Sequence, residues 1–229
     1  ALNKNETADN NTAVGFNSIC SNTTGAENTA VGSSALTSNT TGFNNSALGR
    51  CALFSNTEGD KNTSIGMSTL RCNLTGCSNT AVGYTALLKN TASDNTAVGC
   101  GALICNTTAS NNTAVGSLSL QANTTGTNNV AVGKNALTAN TTANNNIAIG
   151  LDSLCVNQTG LKNVAMGTDT LRNNTGGCNT AIGYLSLTAN TSASNNTSVG
   201  ACSLNANTTG CHNTAVGFEA LNKNTSGCF

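Results

Sequence analysis

Residues 128–150 read NNVAVGKNALTANTTANNNIAIG, one complete repeat caught between two copies of its own landmark, a small β-prone triplet closed by glycine. The landmark recurs at Gly15, Gly32, Gly49, Gly66, Gly83, Gly99, Gly116, Gly133, Gly150, Gly167, Gly183, Gly200 and Gly217. Ten of the twelve intervals are 17 residues and two are 16. A period this short, sustained along the chain, marks a solenoid in which each repeat stacks on its neighbours. The expected fold is all-β: a parallel β-solenoid (β-roll) of about thirteen 17-residue turns, running as a single continuous repeat domain over residues 1–229 and uncapped at both ends.

With each repeat glycine numbered zero, the turn resolves into columns. Position −4 is asparagine throughout, as in Asn11, Asn28, Asn45, Asn62 and Asn79, and position +7 is asparagine again, as in Asn22, Asn39, Asn56, Asn73 and Asn90. Position −3 is Thr or a β-branched apolar residue, apart from Ser46; −2 is Ala, apart from Ser64 and Ser198; −1 is apolar; +3 is small; +4 is Leu or Ile. Strand alternation places −3 and −1 on one face and −2 on the other. The interchange of Thr, Val and Ile at −3 suggests that −3 and −1 point inward. That leaves the alanine column Ala13, Ala30, Ala47, Ala81, Ala97 and Ala114 as an outward stripe on which another copy could pack. The two asparagine columns read as in-register ladders of side-chain amides.

Charge obeys the same columns. Nine basic and nine acidic residues cancel, and charged residues are 8% of the chain, which gives no electrostatic footprint for nucleic acid. No charged residue occupies −4 to zero, +3, +4 or +7, where burial would be costly. No apolar run approaches the roughly 18 residues of a membrane span.

Many asparagines also begin an N-glycosylation sequon. Candidate acceptors are Asn22, Asn39, Asn106, Asn123, Asn140 and Asn207 in the +7 column and Asn10, Asn44, Asn111 and Asn195 near an outer loop. Asn56, Asn90 and Asn174 keep the asparagine where the sequon is lost, so glycan attachment alone does not explain that column. Eleven cysteines fall in loop columns and favour an oxidising, extracellular setting. Cys211 and Cys228 share a column in consecutive turns, about 5 Å apart by turn spacing, and are the candidate disulfide. An odd number leaves at least one thiol free or paired with another chain. With a single histidine, His212, no Cys-x-x-Cys, no nucleophile–base pair and no paired carboxylates in an apolar setting, the chain reads as a non-enzyme without metal or cofactor.

The cores NNVAVG (128–133), NNIAIG (145–150) and KNVAMG (162–167) resemble the β-roll head repeats of trimeric autotransporter adhesins, and also similar repeats of phage and virus tail-fibre shafts. That resemblance implies trimerisation and adhesion at a cell or virion surface. The chain departs from the adhesin pattern in its extra Asn-Thr-Thr-Gly arm and its cysteines. Three functions stay open. The first is a structural repeat protein whose copies stack or associate laterally into an extracellular fibre. The second is an adhesin or tail-fibre head that binds a receptor or glycan. The third is an ice-binding protein, suggested by the +8 threonines Thr23, Thr40, Thr57, Thr91, Thr107 and Thr124, though Leu74 and Gln158 interrupt them.

Overall fold

The computed structural model describes residues 1–5 and 7–228. The repeats build thirteen parallel strands of three residues each, with no helix among the described residues. They divide between two compact units, Ala1–Asn112 and Thr113–Phe229. The first unit holds β1 (Thr12–Val14), β2 (Thr29–Val31), β3 (Ser46–Leu48), β4 (Thr63–Ile65), β5 (Thr80–Val82) and β6 (Thr96–Val98). The second holds β7 (Thr113–Val115), β8 (Val130–Val132), β9 (Ile147–Ile149), β10 (Val164–Met166), β11 (Thr180–Ile182), β12 (Thr197–Val199) and β13 (Thr214–Val216). Within each unit every strand pairs in parallel with its sequence neighbours, column on column: Ala30 faces Ala47, and Ala148 faces Ala165. Where the interval is 16 residues the register still holds, with Thr80 opposite Thr96 and Val164 opposite Thr180. Each unit is a β-solenoid.

The direction of the strand side chains reverses the sequence expectation. The −2 alanines are the buried ones. Ala30, Ala47, Ala81, Ala97 and Ala114 are at most 2% exposed, and Ala13 in the first turn is half-buried. They cannot form a self-association stripe. The residues at −3 and −1 face outward, with Val98, Val115 and Ile182 between 36% and 38% exposed. Space decides this, not hydrophobicity. The interior is filled by one large column, the +4 residues from Ile19 and Leu36 to Leu204, all fully buried, together with two asparagine columns. Only a methyl or hydroxymethyl group fits between that column and the sheet.

The two serines at −2 show how tight the space is. Ser64 Oγ lies 2.6 Å from Thr69 Oγ1 and donates to Thr69 O at 3.0 Å. Ser198 Oγ donates to Ser203 O at 2.9 Å and accepts from Ser186 Oγ at 2.7 Å. A buried hydroxyl at −2 is thus matched by hydroxyls at +3, as a buried polar group requires.

The turn is closed by left-handed backbone. The +4 leucines all have positive φ, for example 50° at Leu36 and 52° at Leu87, and the residues at +2 and −5 do too. A left-handed leucine costs roughly 1–2 kcal/mol, and full burial of its side chain returns about 1.5–3 kcal/mol. The repeat glycine has φ of 132° at Gly83, where a Cβ would sit 2.6 Å from Gly99 O, so the column admits no other residue.

Ala131→Leu, in the second unit, is expected to lower stability by about 1–3 kcal/mol through overpacking. Val132→Leu, one residue on and facing out, should change it by no more than about 0.5 kcal/mol. Urea unfolding midpoints of the two variants decide whether the alanine column is interior.

Candidate functional surface

The site must be found among what the fold leaves outside, because most polar groups of the repeat are committed within it. In the −4 column Asn45 is typical. Its backbone N–H donates to Asn28 Oδ1 at 3.0 Å, and its Nδ2 donates to Asn28 Oδ1 at 3.1 Å and to Gly59 O at 2.8 Å. Asn62 and Asn79 repeat the arrangement, and Asn28 makes the backbone bond to Asn11 Oδ1 and the Nδ2 bond to Gly42 O. In the +7 column Asn56 Nδ2 donates to Asn39 Oδ1 and to Gly59 O, both at 2.9 Å. Asn22, Asn39 and Asn73 do the same with their own neighbours, and Asn90 donates to Asn73 Oδ1 at 3.4 Å. One carbonyl at +10, here Gly59 O, therefore receives an amide from both ladders. The recurrence of Gly or Ala at that position, as at Gly42, Gly59, Ala109 and Ala143, is a signal the sequence reading missed. In the second unit the +7 ladder is interrupted at Asn157, whose Oδ1 accepts from Gly160 N and whose Nδ2 donates to Gly160 O, and Asn140 Oδ1 is left buried without a partner.

The +7 sequon asparagines Asn22, Asn39, Asn106, Asn123, Asn140 and Asn207 are fully buried, against the exposure that a glycan acceptor needs. Asn39 Nδ2, for instance, donates to Asn22 Oδ1 and Gly42 O, so both of its N–H groups are used. Asn10, Asn44, Asn111 and Asn195 are exposed. The +8 threonines are also committed: Thr23, Thr40, Thr57, Thr91 and Thr124 donate Oγ1 to the +8 carbonyl of the next turn at 2.9–3.1 Å. Their protons point along the coil, and Thr107 lies in the same column.

The cysteines line the loops as thiols. All eleven are free, including Cys211 and Cys228, so the expected disulfide is not formed. Instead Cys228 Sγ accepts from Cys211 N at 3.2 Å, and Cys211 Sγ accepts from Ser194 N at 3.3 Å. Asp60 and Ser93 fill the same role elsewhere with oxygen, accepting from Phe43 N and Cys77 N. The thiol thus replaces an oxygen acceptor. Burial pushes the Cys155 thiol up, and the neighbouring Arg172 partly opposes that shift. Among the described residues no group of three or more His, Cys, Asp and Glu side chains could hold a metal, and no helix is long and apolar enough to cross a membrane. His212 lies on the surface, its Nε2 3.4 Å from Asn195 Nδ2. The second unit carries a shallow groove of about 430 Å³, lined by Leu161, Lys162, Thr175, Gly177, Cys178 and Ser194 at the shortened arm between Asn174 and Asn179.

What remains outside and uncommitted is the sheet face. In the first unit it carries two columns, Thr12, Thr29, Ser46, Thr63, Thr80 and Thr96 beside Val14, Val31, Leu48, Ile65, Val82 and Val98. In the second unit the threonines give way at β8–β10, where Val130, Val132, Ile147, Ile149, Val164 and Met166 form a wholly apolar, half-exposed patch. At the following corner Tyr84 in one unit and Tyr184 in the other are 52% and 55% exposed, and Met67 and Leu151 share their column. No charge interrupts the face in either unit. The geometry suits flat contact over several turns.

Two measurements test this assignment of inside and outside. Asn56→Ala strips a rung from the ladder and leaves buried partners unsatisfied, each costing about 1–3 kcal/mol, whereas Thr57→Ala removes one exposed bond and should cost about 0.5–1.5 kcal/mol. Urea unfolding midpoints give both values. For the thiols, Arg172→Gln should raise the pH at which Cys155 is half-maximally alkylated, because it removes the cation that favours the thiolate; peptide mass mapping reads the shift. In comparison with known proteins, the chain matches no family model, no curated protein and no solved structure.

Proposed function

We propose that this chain is a structural repeat protein, the shaft or protomer of an extracellular fibre, and that its copies associate through the outer face of the sheet. The observation that carries the reading is the ribbon of half-exposed β-branched residues at −3 and −1, free of charge in both units and wholly apolar at β8–β10. Monomeric proteins rarely expose contiguous apolar patches, and those that persist usually mark a contact surface. Side chains on this ribbon repeat at the spacing of the turns, about 4.8 Å. A partner that meshes with it over several turns needs the same rise, and a second copy has it. Identical ladders facing one another can interdigitate as dry, paired sheets do.

The interior alanines leave lateral association to the Thr/Val face, in place of the alanine stripe expected from sequence. An adhesin or tail-fibre head would add a receptor site on the loops, and the loops show no repeated constellation that favours a particular ligand.

Sedimentation velocity over a range of concentrations tests the proposal. The wild-type chain should form assemblies whose mass rises with concentration. A Val132→Lys/Ile149→Lys variant should stay a single chain while keeping its urea midpoint within about 0.5 kcal/mol, since both positions are on the surface. A wild-type chain that remains monomeric at millimolar concentration, or a double variant that assembles as readily, refutes it.

A further inference from the structure

The fold sorts the sequons into two classes, and that sorting points to a modification site. The inner class lies in the ladders. Besides the +7 asparagines, the Asn-Thr-Ser triplets at Asn62 and Asn196 belong here, and both asparagines are buried with their amides in the −4 ladder. The outer class presents its asparagine to solvent outside the ladders: Asn10, Asn44, Asn111 and Asn195 at the corners before β1, β3, β7 and β12, and Asn173, in Asn-Asn-Thr, at +6; Asn5, in Asn-Glu-Thr, is exposed in the first turn but keeps its ladder bonds, accepting from Asn22 Nδ2 and donating to Ala8 O.

The corner suits a branched substituent. Asn10, Asn44, Asn111 and Asn195 have φ between 56° and 61°, the left-handed region that asparagine tolerates. The backbone N–H groups of Asn44 and Asn195 are satisfied along the coil, donating to Ala26 O at 3.1 Å and to Gly177 O at 3.3 Å, so these corners do not depend on the side-chain amide. Within the first unit, Asn10 and Asn44 stand two turns apart and Asn44 and Asn111 four, roughly 10 and 19 Å. Glycans on these three would not be forced against one another in adjacent turns.

We propose that Asn10, Asn44, Asn111, Asn173 and Asn195 are N-glycan acceptor sites, and that the ladder sequons are not. In the reaction, Asn Nδ2 forms a bond to the anomeric carbon of a sugar activated on a phosphate or pyrophosphate leaving group. The bond from that carbon to the leaving group breaks, and Nδ2 gives up one proton. Losing that N–H is harmless at the corner. In a ladder it removes a donor and places a sugar in a core with no space for it.

The full chain, directed through the secretory pathway of a eukaryotic cell, gives the test. Secreted, folded protein is treated with peptide N-glycosidase in heavy-oxygen water, which marks each formerly glycosylated asparagine by mass. Label is expected at the five outer sites and not at Asn22, Asn39, Asn106, Asn123, Asn140 or Asn207. Asn44→Asp, which keeps the left-handed tolerance, should remove one glycan and leave folding unchanged. A second measurement covers poor secretion: purified, folded chain is offered a soluble N-glucosyltransferase and a nucleotide-activated glucose, and should gain hexose at the outer sites alone. Absence of label at the five sites in both experiments, or label at a ladder asparagine in folded protein, overturns the proposal.

Discussion

One carbonyl per turn holds this architecture together. At +10, on a glycine or alanine, the chain offers an oxygen that receives an amide from each of two buried asparagine columns; Gly42 O accepts from Asn28 and Asn39, and Gly59 O from Asn45 and Asn56. Most of these asparagines also reach their copy in the neighbouring turn, as Asn39 does to Asn22 and Asn62 to Asn45, although Asn157 does not. A typical rung therefore bonds both across the turn and along the coil. The loop and the strand cannot drift apart without breaking the same set of bonds. A three-residue strand contributes little by itself, and isolated short β elements are marginal in water. The ladders supply what the strands lack, and the +10 carbonyl that both of them use is carried by glycine or alanine in every 17-residue repeat.

Much of this was legible in the sequence. The period announced the solenoid, and the exclusion of charge marked which columns were structural. The facing of the strand was not legible. Val132 and Ile149 look like core and Ala131 and Ala148 like surface, yet the reverse holds. Hydrophobicity ranks residues by their preference for burial, but a coil this narrow has room for one large column, and leucine at +4 occupies it. A finer clue was present: the serine at 64 occurs with Thr69, and the serine at 198 with Ser186 one turn before, as buried hydroxyl partners would. The left-handed backbone at the leucines left no trace, because leucine is an unusual residue for that conformation.

The same narrowness explains the surface chemistry. Amides and many of the threonine hydroxyls are spent on the coil itself, and several thiols take the place of oxygen acceptors along the loops. The outer sheet face is then the broad element with no internal partner. Its replacement of threonine by Val130, Ile147 and Val164 raises its apolar character within the second unit. The proposed contact between copies is placed on that face because the interior has used the rest.

The two 16-residue repeats carry a last lesson. Each loses its residue from the arm between the +7 and −4 asparagines, and at both places the ladders then touch, Asn95 Nδ2 donating to Asn90 Oδ1 at 3.4 Å and Asn179 Nδ2 to Asn174 Oδ1 at 3.3 Å. Strand register is unaffected on either side. The arm is thus the elastic segment of an otherwise fixed cross-section. Foreign peptides spliced there would be displayed at regular intervals along a scaffold whose own geometry does not notice them, which makes the repeat a ruler for spacing epitopes or catalysts.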